Sequence, residues 1–284
     1  MRSMADLQQR TTAWHLARRG RLTASNLGAA LGQVSYVSRQ QAYKRAMGTE
    51  TFTGNEATEW GTRNESNGIM EYQALTGNLV QATGLHIHGD HNWLAGSPDG
   101  FVGEEGMIEV KCPFYFKRNG AGRLHKAVPP HYYQQMNALM EICNREWCDY
   151  VCWAPEGMVV YRVKRDREIF DYLLTYYSQF YSAMMTHAEG PPPLSTYDRS
   201  NIQQALCMAI ERSVDYKHWS GVDPSAPLPS SDVSVMQDED DETRLASCKR
   251  KRVSDAMAQT GCTSDQWAID IGEVASLQVV AAQV

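Results

Sequence analysis

Two short segments constrain this chain more than any other part of it. Ser97-Pro98-Asp99-Gly100 is typical of a turn, and ten positions after its aspartate comes the first residue of Glu109-Val110-Lys111. Side chains alternate between the two faces of a strand, so the glutamate and the lysine share one face while the valine points into the core behind them. The spacing therefore predicts a hairpin that brings Asp99 next to Glu109.

The side chains of this hairpin suit the hydrolysis of a phosphodiester. Mg²⁺ prefers hard oxygen ligands, and two carboxylates with the intervening backbone carbonyl of Val110 offer three. We expect Lys111 to orient the attacking water, or to help deprotonate it, and to offset negative charge. Glu65, inside a long predicted helix, is a candidate outer ligand. An exposed strand with cross-strand ion pairs is the alternative that Glu109 and Lys111 alone leave open.

Hydrophobic periodicity predicts a mixed α/β fold with a central sheet of about five strands flanked by helices. The predicted helices cover residues 4–18, 38–47, 56–75, 131–144 and 166–187. The predicted strands cover residues 79–88, 92–96, 99–103 and 106–112, and a hairpin of residues 148–154 and 158–164.

Composition predicts two parts of the chain. Residues 1–190 are expected to form one domain, which Gly190 and three prolines close. Residues 191–284 are expected to form an appendage, with an acidic linker of low order at about 220–250 and a C-terminal tail.

The net charge of −6 is unevenly distributed along the 284 residues. Residues 201–284 hold 7 Lys/Arg against 13 Asp/Glu, whereas residues 1–50 hold 8 against 2. A basic segment beside an acidic metal centre suits a polyanionic substrate, and a solvated basic helix face is the alternative.

The chain carries no pattern of membrane insertion or secretion. It has no run of 18 apolar residues and no apolar segment near Met1, so we expect neither a membrane span nor a secretory signal. Seven cysteines without the spacing of a small disulfide scaffold are interpreted as reduced thiols. These features predict a cytoplasmic, intracellular protein.

Five blocks of residues resemble one known family. They are Trp14-His15-x-x-Arg18-x-Gly20-x-Leu22-Thr23-Ala24-Ser25, Trp60-Gly61-x-x-x-Glu65, Ser97-Pro98-Asp99-Gly100, Glu109-Val110-Lys111-Cys112-Pro113-Phe114 and Tyr132-x-x-Gln135. Taken in this order, over roughly residues 10–187, they resemble the phage-lambda-type exonucleases, also called YqaJ-like viral recombinases, of the PD-(D/E)xK superfamily. The resemblance implies a restriction-endonuclease-like core.

The resemblance also assigns roles to nine residues. Those implied to hold Mg²⁺, two ions that Mn²⁺ can replace, are Glu65, Asp99, Glu109 and the carbonyl of Val110. Those implied to place the nucleophilic water are Lys111 and Gln135. Those implied to bind the 5′-phosphate of the digested strand are Arg18, Ser25 and Ser97. One departure is Asn137, where the family commonly has a second glutamine with the same hydrogen-bonding groups.

The activity implied by the resemblance is 5′-to-3′ digestion of one strand of linear duplex DNA from 5′-phosphorylated ends. It would serve viral or prophage recombination or replication, with a single-strand annealing protein as a partner and a homotrimer as a known assembly in the family. A site-specific or structure-specific endonuclease on the same fold, and a non-catalytic DNA-binding module, remain as alternatives.

Several other patterns keep two interpretations. His86, His88 and His91 form either a second metal site or plain surface residues. Cys143, Cys148 and Cys152 suggest an iron–sulfur nuclease, but no Cys-x-x-Cys supports one. Lys249-Arg250-Lys251-Arg252 is an import signal, a nucleic-acid tail or a solvated linker after five acidic residues.

Overall fold

A computed structural model describes residues 7–50, 53–115, 120–121 and 123–220 of the protein. The helices are α1 (Thr12–Arg18), α2 (Leu27–Ala30), α3 (Arg39–Ala46), α4 (Glu56–Thr76), α5 (Pro130–Cys143), α6 (Arg167–Met185) and α7 (Thr196–Ser213). The strands are β1 (Leu22–Thr23), β2 (Val80–Gln81), β3 (His86–Ile87), β4 (Leu94–Gly96), β5 (Gly100–Val102), β6 (Gly106–Lys111), β7 (Phe114–Tyr115), β8 (Gly120–Ala121), β9 (Trp147–Ala154), β10 (Gly157–Lys164) and β11 (Val214–Ser220).

The main sheet of the described residues is mixed and has six strands in the order β11-β10-β9-β6-β5-β2. Strands β6 and β9 run parallel, and every other neighbouring pair is antiparallel. Three short strands form a second sheet in the order β1-β4-β3. The predicted α/β class with a mixed sheet flanked by helices is thus confirmed, with β11 as one strand more than expected.

Strand β6 separates two hydrophobic clusters. Met107 belongs to the larger cluster, which the sheet forms with α2, α5, α6 and α7. Ile108 and Val110 belong to the smaller cluster, which the sheet forms with α4 through Tyr72. Because side chains alternate along a strand, Glu109 and Lys111 lie on the same side as Met107, facing α5. Val110 packs behind them, as the sequence predicts.

The hairpin predicted from the two motifs is confirmed. Strands β5 and β6 pair antiparallel, with Gly100 opposite Ile108 and Val102 opposite Gly106. This register places Asp99, which directly precedes β5, beside Glu109.

Helix α4 is held against the sheet by a close contact and a buried ion pair. A Cβ atom on Gly68 would lie 2.7 Å from Val110 Cγ1, so only glycine permits this approach. One turn further on, the Tyr72 hydroxyl donates to the fully buried carboxylate of Asp149 at 2.8 Å. Arg162 donates to both oxygens of that carboxylate, at 2.8 and 2.9 Å, which offsets its burial.

Helix α1 begins later than the periodicity predicts. Thr11 is its N-cap, since the threonine hydroxyl accepts from the Trp14 amide at 3.3 Å. The preceding residue, Arg10, has a left-handed backbone with φ of 67°, which ends any helix coming from residue 4. The predicted start at residue 4 is therefore wrong, although residues 4–6 themselves lie outside the described part.

The predicted domain boundary at residue 190 falls inside the core. Helix α7 buries Ile202, Leu206 and Ile210 in the larger cluster, and β11 pairs with β10 at the sheet edge. The proline-rich loop is held as well, because Arg39 Nη1 donates to the carbonyl of Pro192 at 2.6 Å. Composition suggested a linker there because it reveals turns but not their contacts. The expected acidic linker and tail beyond residue 220 lie outside the described residues.

The oxidation state of the cysteines can be compared with expectation for the described residues. Cys112, Cys143, Cys148 and Cys152 are free thiols, whereas Cys207 is disulfide-bonded. The expectation of reduced thiols is wrong at Cys207, because the number of cysteines does not reveal which sulfur atoms meet in space.

None of the described helices combines the length and the apolar character needed to cross a bilayer.

The contact between α4 and β6 predicts opposite effects of the same substitution at two glycines of one helix. Gly68→Ala should lower the free energy of unfolding by roughly 1–3 kcal/mol, because its methyl group overlaps Val110. In Gly61→Ala, the new methyl group has no described atom within 4 Å. This substitution should therefore raise the free energy of unfolding by roughly 0.5–1 kcal/mol through helix propensity. Urea unfolding measures both, and a stabilising Gly68→Ala would contradict the close contact.

Candidate active site

Two carboxylates meet at the start of the β5–β6 hairpin. The backbone amide of Val110 donates to Asp99 Oδ2 at 2.7 Å, which fixes the aspartate against β6. Glu109 projects from β6 towards α5 and is only 2% exposed. Its Oε2 atom is buried and has no hydrogen-bond partner among the described residues. The pair therefore presents a negatively charged group with an unused acceptor atom in a site with little water.

Two donors hold the other oxygen of Glu109. Lys111 Nζ and Gln135 Nε2 each donate to Glu109 Oε1 at 2.5 Å. The lysine ammonium also lies 4.9 Å from the centre of the Tyr132 ring, one turn before Gln135 on α5. The geometry brings Asp99, Glu109, Lys111 and Gln135 together, as the sequence predicts, and adds Tyr132 as the aromatic neighbour of the ammonium.

Glu65 reaches the edge of this site from α4. Its carboxylate is close enough to raise the pKa values of Asp99 and Glu109, after the larger effect of burial. The side chain is not directed at those two residues, however, because it forms an ion pair with Arg10. Helix α4 is set beside the site by a ring contact between Trp60 and Phe114, 6.0 Å apart.

The electrostatics of the site are those of crowded carboxylates around one ammonium. Burial raises the pKa of Asp99 well above its usual value, and the neighbouring charges of Glu109 and Glu65 raise it further. Burial also raises the pKa of Glu109, although Lys111 opposes that shift. Burial by itself would lower the pKa of Lys111, but Glu109 and Asp99 outweigh it and raise that pKa. Lys111 is thus protonated at neutral pH.

The donor set suits a divalent cation. An unpartnered buried carboxylate oxygen and a second carboxylate whose charge is disfavoured both gain from a nearby cation with oxygen preference. The described residues hold no ready-made group of three or more His, Cys, Asp or Glu ligands, however. Two of the carboxylates are in ion pairs instead, since Lys111 holds Glu109 and Arg10 holds Glu65.

A second group of polar residues lies around α1. Arg18 Nη2 donates to the hydroxyls of Thr23 at 3.2 Å and Ser25 at 3.4 Å. Its guanidinium carbon lies 4.1 Å from the centre of the Trp14 ring, and Trp14 Nε1 donates to Ser97 Oγ at 2.9 Å. Burial lowers the pKa of Arg18 to about 10, which leaves it charged at neutral pH.

The three residues predicted for phosphate binding are therefore neighbours, with Trp14 between them. Arg18 and Ser25 are in direct contact, while Ser97 joins them through the indole of Trp14. The tryptophan was part of a motif but carried no predicted role. A tryptophan four residues before an arginine on one helix was the available signal, because such residues share a face.

The two groups are joined by one turn of the chain. Ser97 belongs to the polar group around α1, and Asp99 belongs to the carboxylate pair two residues later. The turn is fastened from the other side, where Gln9 Nε2 donates to the carbonyl of Pro98 at 3.0 Å. The separation between the two groups is consequently fixed by local backbone.

Asn137 lies away from these groups. Its amide donates to the carbonyl of Asp166 and accepts from the Asp166 backbone amide, at 2.8 and 2.9 Å. The side chain thus anchors α5 to the start of α6. Asparagine in place of a second glutamine at position 137 therefore does not alter the contacts of Gln135.

The histidines and cysteines that left two interpretations open can be compared with the structure. Asp90 and His91 amides donate to His88 Nδ1 at 3.1 and 3.2 Å, and Thr83 contacts His86 Nε2 at 2.6 Å. Within the described ranges, neither the histidines nor the cysteines form a cluster suited to a metal ion. The helix α6 aromatics Phe170, Tyr177 and Phe180 are buried in the core. The basic run at 249–252 lies outside the described residues.

Comparison with known proteins relates the site to a known domain. Residues 13–146 match the YqaJ-like viral recombinase domain. The chain is similar to the alkaline exonuclease LHK-Exo of Laribacter hongkongensis, with a TM-score of 0.51 and 28% identity over 62% of this chain and 94% of that one. The complex of LHK-Exo with dAMP gives a TM-score of 0.52 and 27% identity over the same shares.

A curated viral protein also matches part of the chain. The uncharacterized protein R354 of Acanthamoeba polyphaga mimivirus is 28% identical over an alignment of 112 residues that covers 35% of this chain. The match spans only 20% of the length of the mimivirus protein. From the domain match and the fold shared with LHK-Exo, we conclude that residues 13–146 of this chain form a domain similar to the YqaJ-like viral recombinase domain.

Proposed function

We propose that this protein is a Mg²⁺-dependent deoxyribonuclease that digests one strand of linear duplex DNA in the 5′-to-3′ direction. The match of residues 13–146 to the YqaJ-like viral recombinase domain and the likeness to LHK-Exo support a DNA exonuclease of the recombinase type. LHK-Exo was also solved with dAMP, a deoxynucleoside monophosphate of the kind that an exonuclease releases. The preference for 5′-phosphorylated ends and the role in viral or prophage recombination or replication belong to the proposal.

The observation that carries the proposal is the pairing of two sites through one turn. The carboxylates and the ammonium form a centre suited to a phosphodiester, and a guanidinium with two hydroxyls forms a pocket suited to a phosphate. Ser97 and Asp99 fix the pocket and the centre close together. An enzyme that binds a terminal phosphate and cleaves a neighbouring phosphodiester needs this arrangement.

The proposed cation would be held by Asp99, Glu109 and the carbonyl of Val110, with Glu65 as an additional ligand. When bound, it supplies positive charge for a non-bridging oxygen and lowers the pKa of water. The backbone amide of Val110 keeps Asp99 in place, and Gln135 keeps the Glu109 carboxylate oriented.

Lys111 acts as a protonated, positively charged hydrogen-bond donor. Since its pKa is raised, it donates to Glu109 and can donate to a phosphate oxygen or to water, rather than act as a base. In the cation-free protein, this raised pKa favours two of the three roles expected for Lys111, orientation of the water and charge compensation, over deprotonation. Tyr132 lies beside the ammonium and stabilises it through its ring face.

The phosphate pocket selects the end of the strand. A charged guanidinium and hydroxyl groups bind a terminal phosphate through charge-assisted hydrogen bonds. The Trp14 ring fixes the plane of the Arg18 guanidinium, and its N–H group orients Ser97. A 5′-hydroxyl end lacks the charge that these groups bind, so digestion should start there more slowly.

Digestion of end-labelled linear and closed-circular duplex DNA tests the whole proposal. With Mg²⁺, we expect only the linear form to be degraded, with progressive loss of the 5′-labelled strand, and no digestion in EDTA. Cutting of circles at discrete places would favour the endonuclease. Intact linear DNA in every metal buffer would leave only the DNA-binding module. An annealing partner and a homotrimer stay as proposals beyond this experiment.

Lys111→Ala is expected to reduce digestion by at least about a hundredfold, because charge compensation at the phosphodiester is lost. Binding to a 5′-phosphorylated end in Ca²⁺ should remain within a few-fold of the parent. Lys164→Ala, which removes an exposed lysine at the end of β10, serves as the matched control. Single-turnover digestion and fluorescence anisotropy measure the two quantities. Retained cleavage in a folded Lys111→Ala protein would exclude the assigned role.

Arg18→Ala is expected to lower the preference for 5′-phosphate over 5′-hydroxyl ends by about tenfold or more, the value of a charged hydrogen bond. Arg21→Ala removes an arginine whose donors bind the carbonyls of Asn92 and Ala17 instead, so it should leave the preference unchanged. Trp14→Phe keeps the ring but not the N–H donor and should be intermediate. Initial rates on the two kinds of end give the ratio, and an equal ratio in Arg18→Ala and parent refutes the pocket.

Asp99→Asn is expected to stabilise the protein in EDTA at pH 8. The folded state keeps a proton on Asp99 after the unfolded chain, with the ordinary pKa near 3.8, has lost it. The free energy of unfolding of the parent therefore falls as the pH rises above about 4. Asparagine can still accept from the Val110 amide but carries no charge, so the gain should be of order 1 kcal/mol or more at pH 8 and vanish near pH 4.

Chemical unfolding between pH 4 and pH 8 measures this gain. Asp149→Asn is the control, since it removes a buried carboxylate that is paired with Arg162 and should destabilise at pH 8. If Asp99→Asn were less stable than the parent at pH 8, the crowding of the carboxylates would be disproved.

A further inference from the structure

Arg10 forms an ion pair with Glu65 at the edge of the candidate active site. The side chain of Arg10 is 49% exposed, whereas that of Glu65 is 23% exposed. None of the family blocks includes Arg10, and the catalytic scheme above does not use it. It is nevertheless a charged group in contact with one of the three carboxylates proposed to hold the cation.

The backbone of Arg10 is held in an unusual conformation. Its φ of 67° lies in the left-handed region, which costs a residue with a side chain free energy unless its surroundings impose it. The surroundings are defined on both sides. Gln9 is tied to Pro98, and the Thr11 hydroxyl donates to the carbonyl of Gln8 at 2.8 Å while capping α1.

This conformation places the Arg10 guanidinium beside Glu65 at the edge of the site, next to a residue that contacts the turn joining its two halves. Gln9 reaches the turn of Pro98, which joins the phosphate-type pocket to the carboxylate pair, and Arg10 reaches Glu65 on α4. Arg18 lies in the same segment, two turns of helix further along. A DNA strand that runs from the pocket to the carboxylates would therefore pass close to Arg10.

We propose that Arg10 is a phosphate-binding residue whose partner changes when a cation binds. In the cation-free protein, Arg10 pairs with Glu65. Once the Glu65 side chain turns to the cation, Arg10 binds a backbone phosphate of DNA. The inference rests on the proposed function. A guanidinium and a divalent cation compete for the same carboxylate, so binding of one weakens binding of the other. The released guanidinium matches phosphate as well as it matches carboxylate, with paired N–H donors.

The exchange also explains why three carboxylates so close together form no ready-made metal group among the described residues. Arg10 and Lys111 compensate the charges of Glu65 and Glu109 while no cation is bound. Arg10 differs from Lys111 in being half exposed and in lying on the segment that leads to the phosphate pocket. It is thus a positioning residue for Glu65 and a contact for the substrate.

The competition is tested by calcium titration of the full chain, followed by its thermal unfolding midpoint, with no DNA present. Arg10→Gly relieves the left-handed backbone and removes the guanidinium, so the calcium concentration giving half of the stabilisation should fall about fivefold or more. Arg10→Lys should stay near the parent. Arg19→Ala, which removes an exposed arginine from the same segment, should not change it. Arg10→Asn, which tolerates the same backbone, repeats the test if the glycine variant folds poorly.

The phosphate contact is tested by binding to a labelled 5′-phosphorylated duplex end in Ca²⁺ at several salt concentrations. Arg10→Gly should weaken binding and reduce the slope of log affinity against log salt by about 1, as for one phosphate contact. Arg10→Lys should restore the slope. A calcium midpoint unchanged within twofold refutes the competition, and an unchanged salt slope refutes the contact.

Failure of this inference can be distinguished from failure of the proposed function. The calcium titration involves no DNA and no cleavage, so it judges the Arg10–Glu65 exchange even in a protein that digests nothing. Conversely, a parent protein that digests linear DNA while Arg10→Gly matches it in both titrations would leave the function intact and overturn the inference.

Discussion

The buried pairing of Glu109 with Lys111 on strand β6 is the interaction around which the rest of the site is arranged. A carboxylate that is 2% exposed is costly to bury unless charge or hydrogen bonds compensate it. Lys111 and Gln135 compensate one oxygen, and the other has no partner in the described part of the chain. The strand can hold this group because Val110 is anchored by α4 on its opposite face. Packing against α4 on one face of β6 thus holds the strand in place for the charged site on its other face.

The second constraint is the position of α4. Gly68 permits its close approach to β6, and the buried Asp149 with Tyr72 and Arg162 holds it there. These contacts place Glu65 beside the carboxylate pair without any direct bond between them. The N-terminal segment then completes the site by bringing Arg10 to Glu65 and Arg18 to the pocket. Residues far apart in the chain are therefore joined by packing that has no chemical role itself.

Much of the fold follows from local pattern. The alternation in Glu109-Val110-Lys111 and the turn at Asp99 were sufficient for the hairpin, because both signals act within a dozen residues. Helices α4, α5 and α6 were predicted to within a few residues for the same reason, whereas α7 was not predicted. The start of α1 was not, since it depends on a cap at Thr11 and a left-handed residue at position 10. The boundary at residue 190 also failed, because burial of Ile202 and Leu206 against α5 and α6 leaves no mark on composition.

The sequence by itself determined which chemical groups this protein has and that Asp99, Glu109 and Lys111 must lie together, since strand geometry fixes neighbours two residues apart. A resemblance in five blocks extended that set to Glu65, Gln135, Arg18, Ser25 and Ser97. Only the tertiary structure decided how these groups are paired: Arg10 with Glu65, Trp14 between Arg18 and Ser97, and Tyr132 beside Lys111. The physical reason is that such contacts depend on the orientation of whole helices and on three-dimensional burial, and neither is encoded in the spacing of residues along the chain.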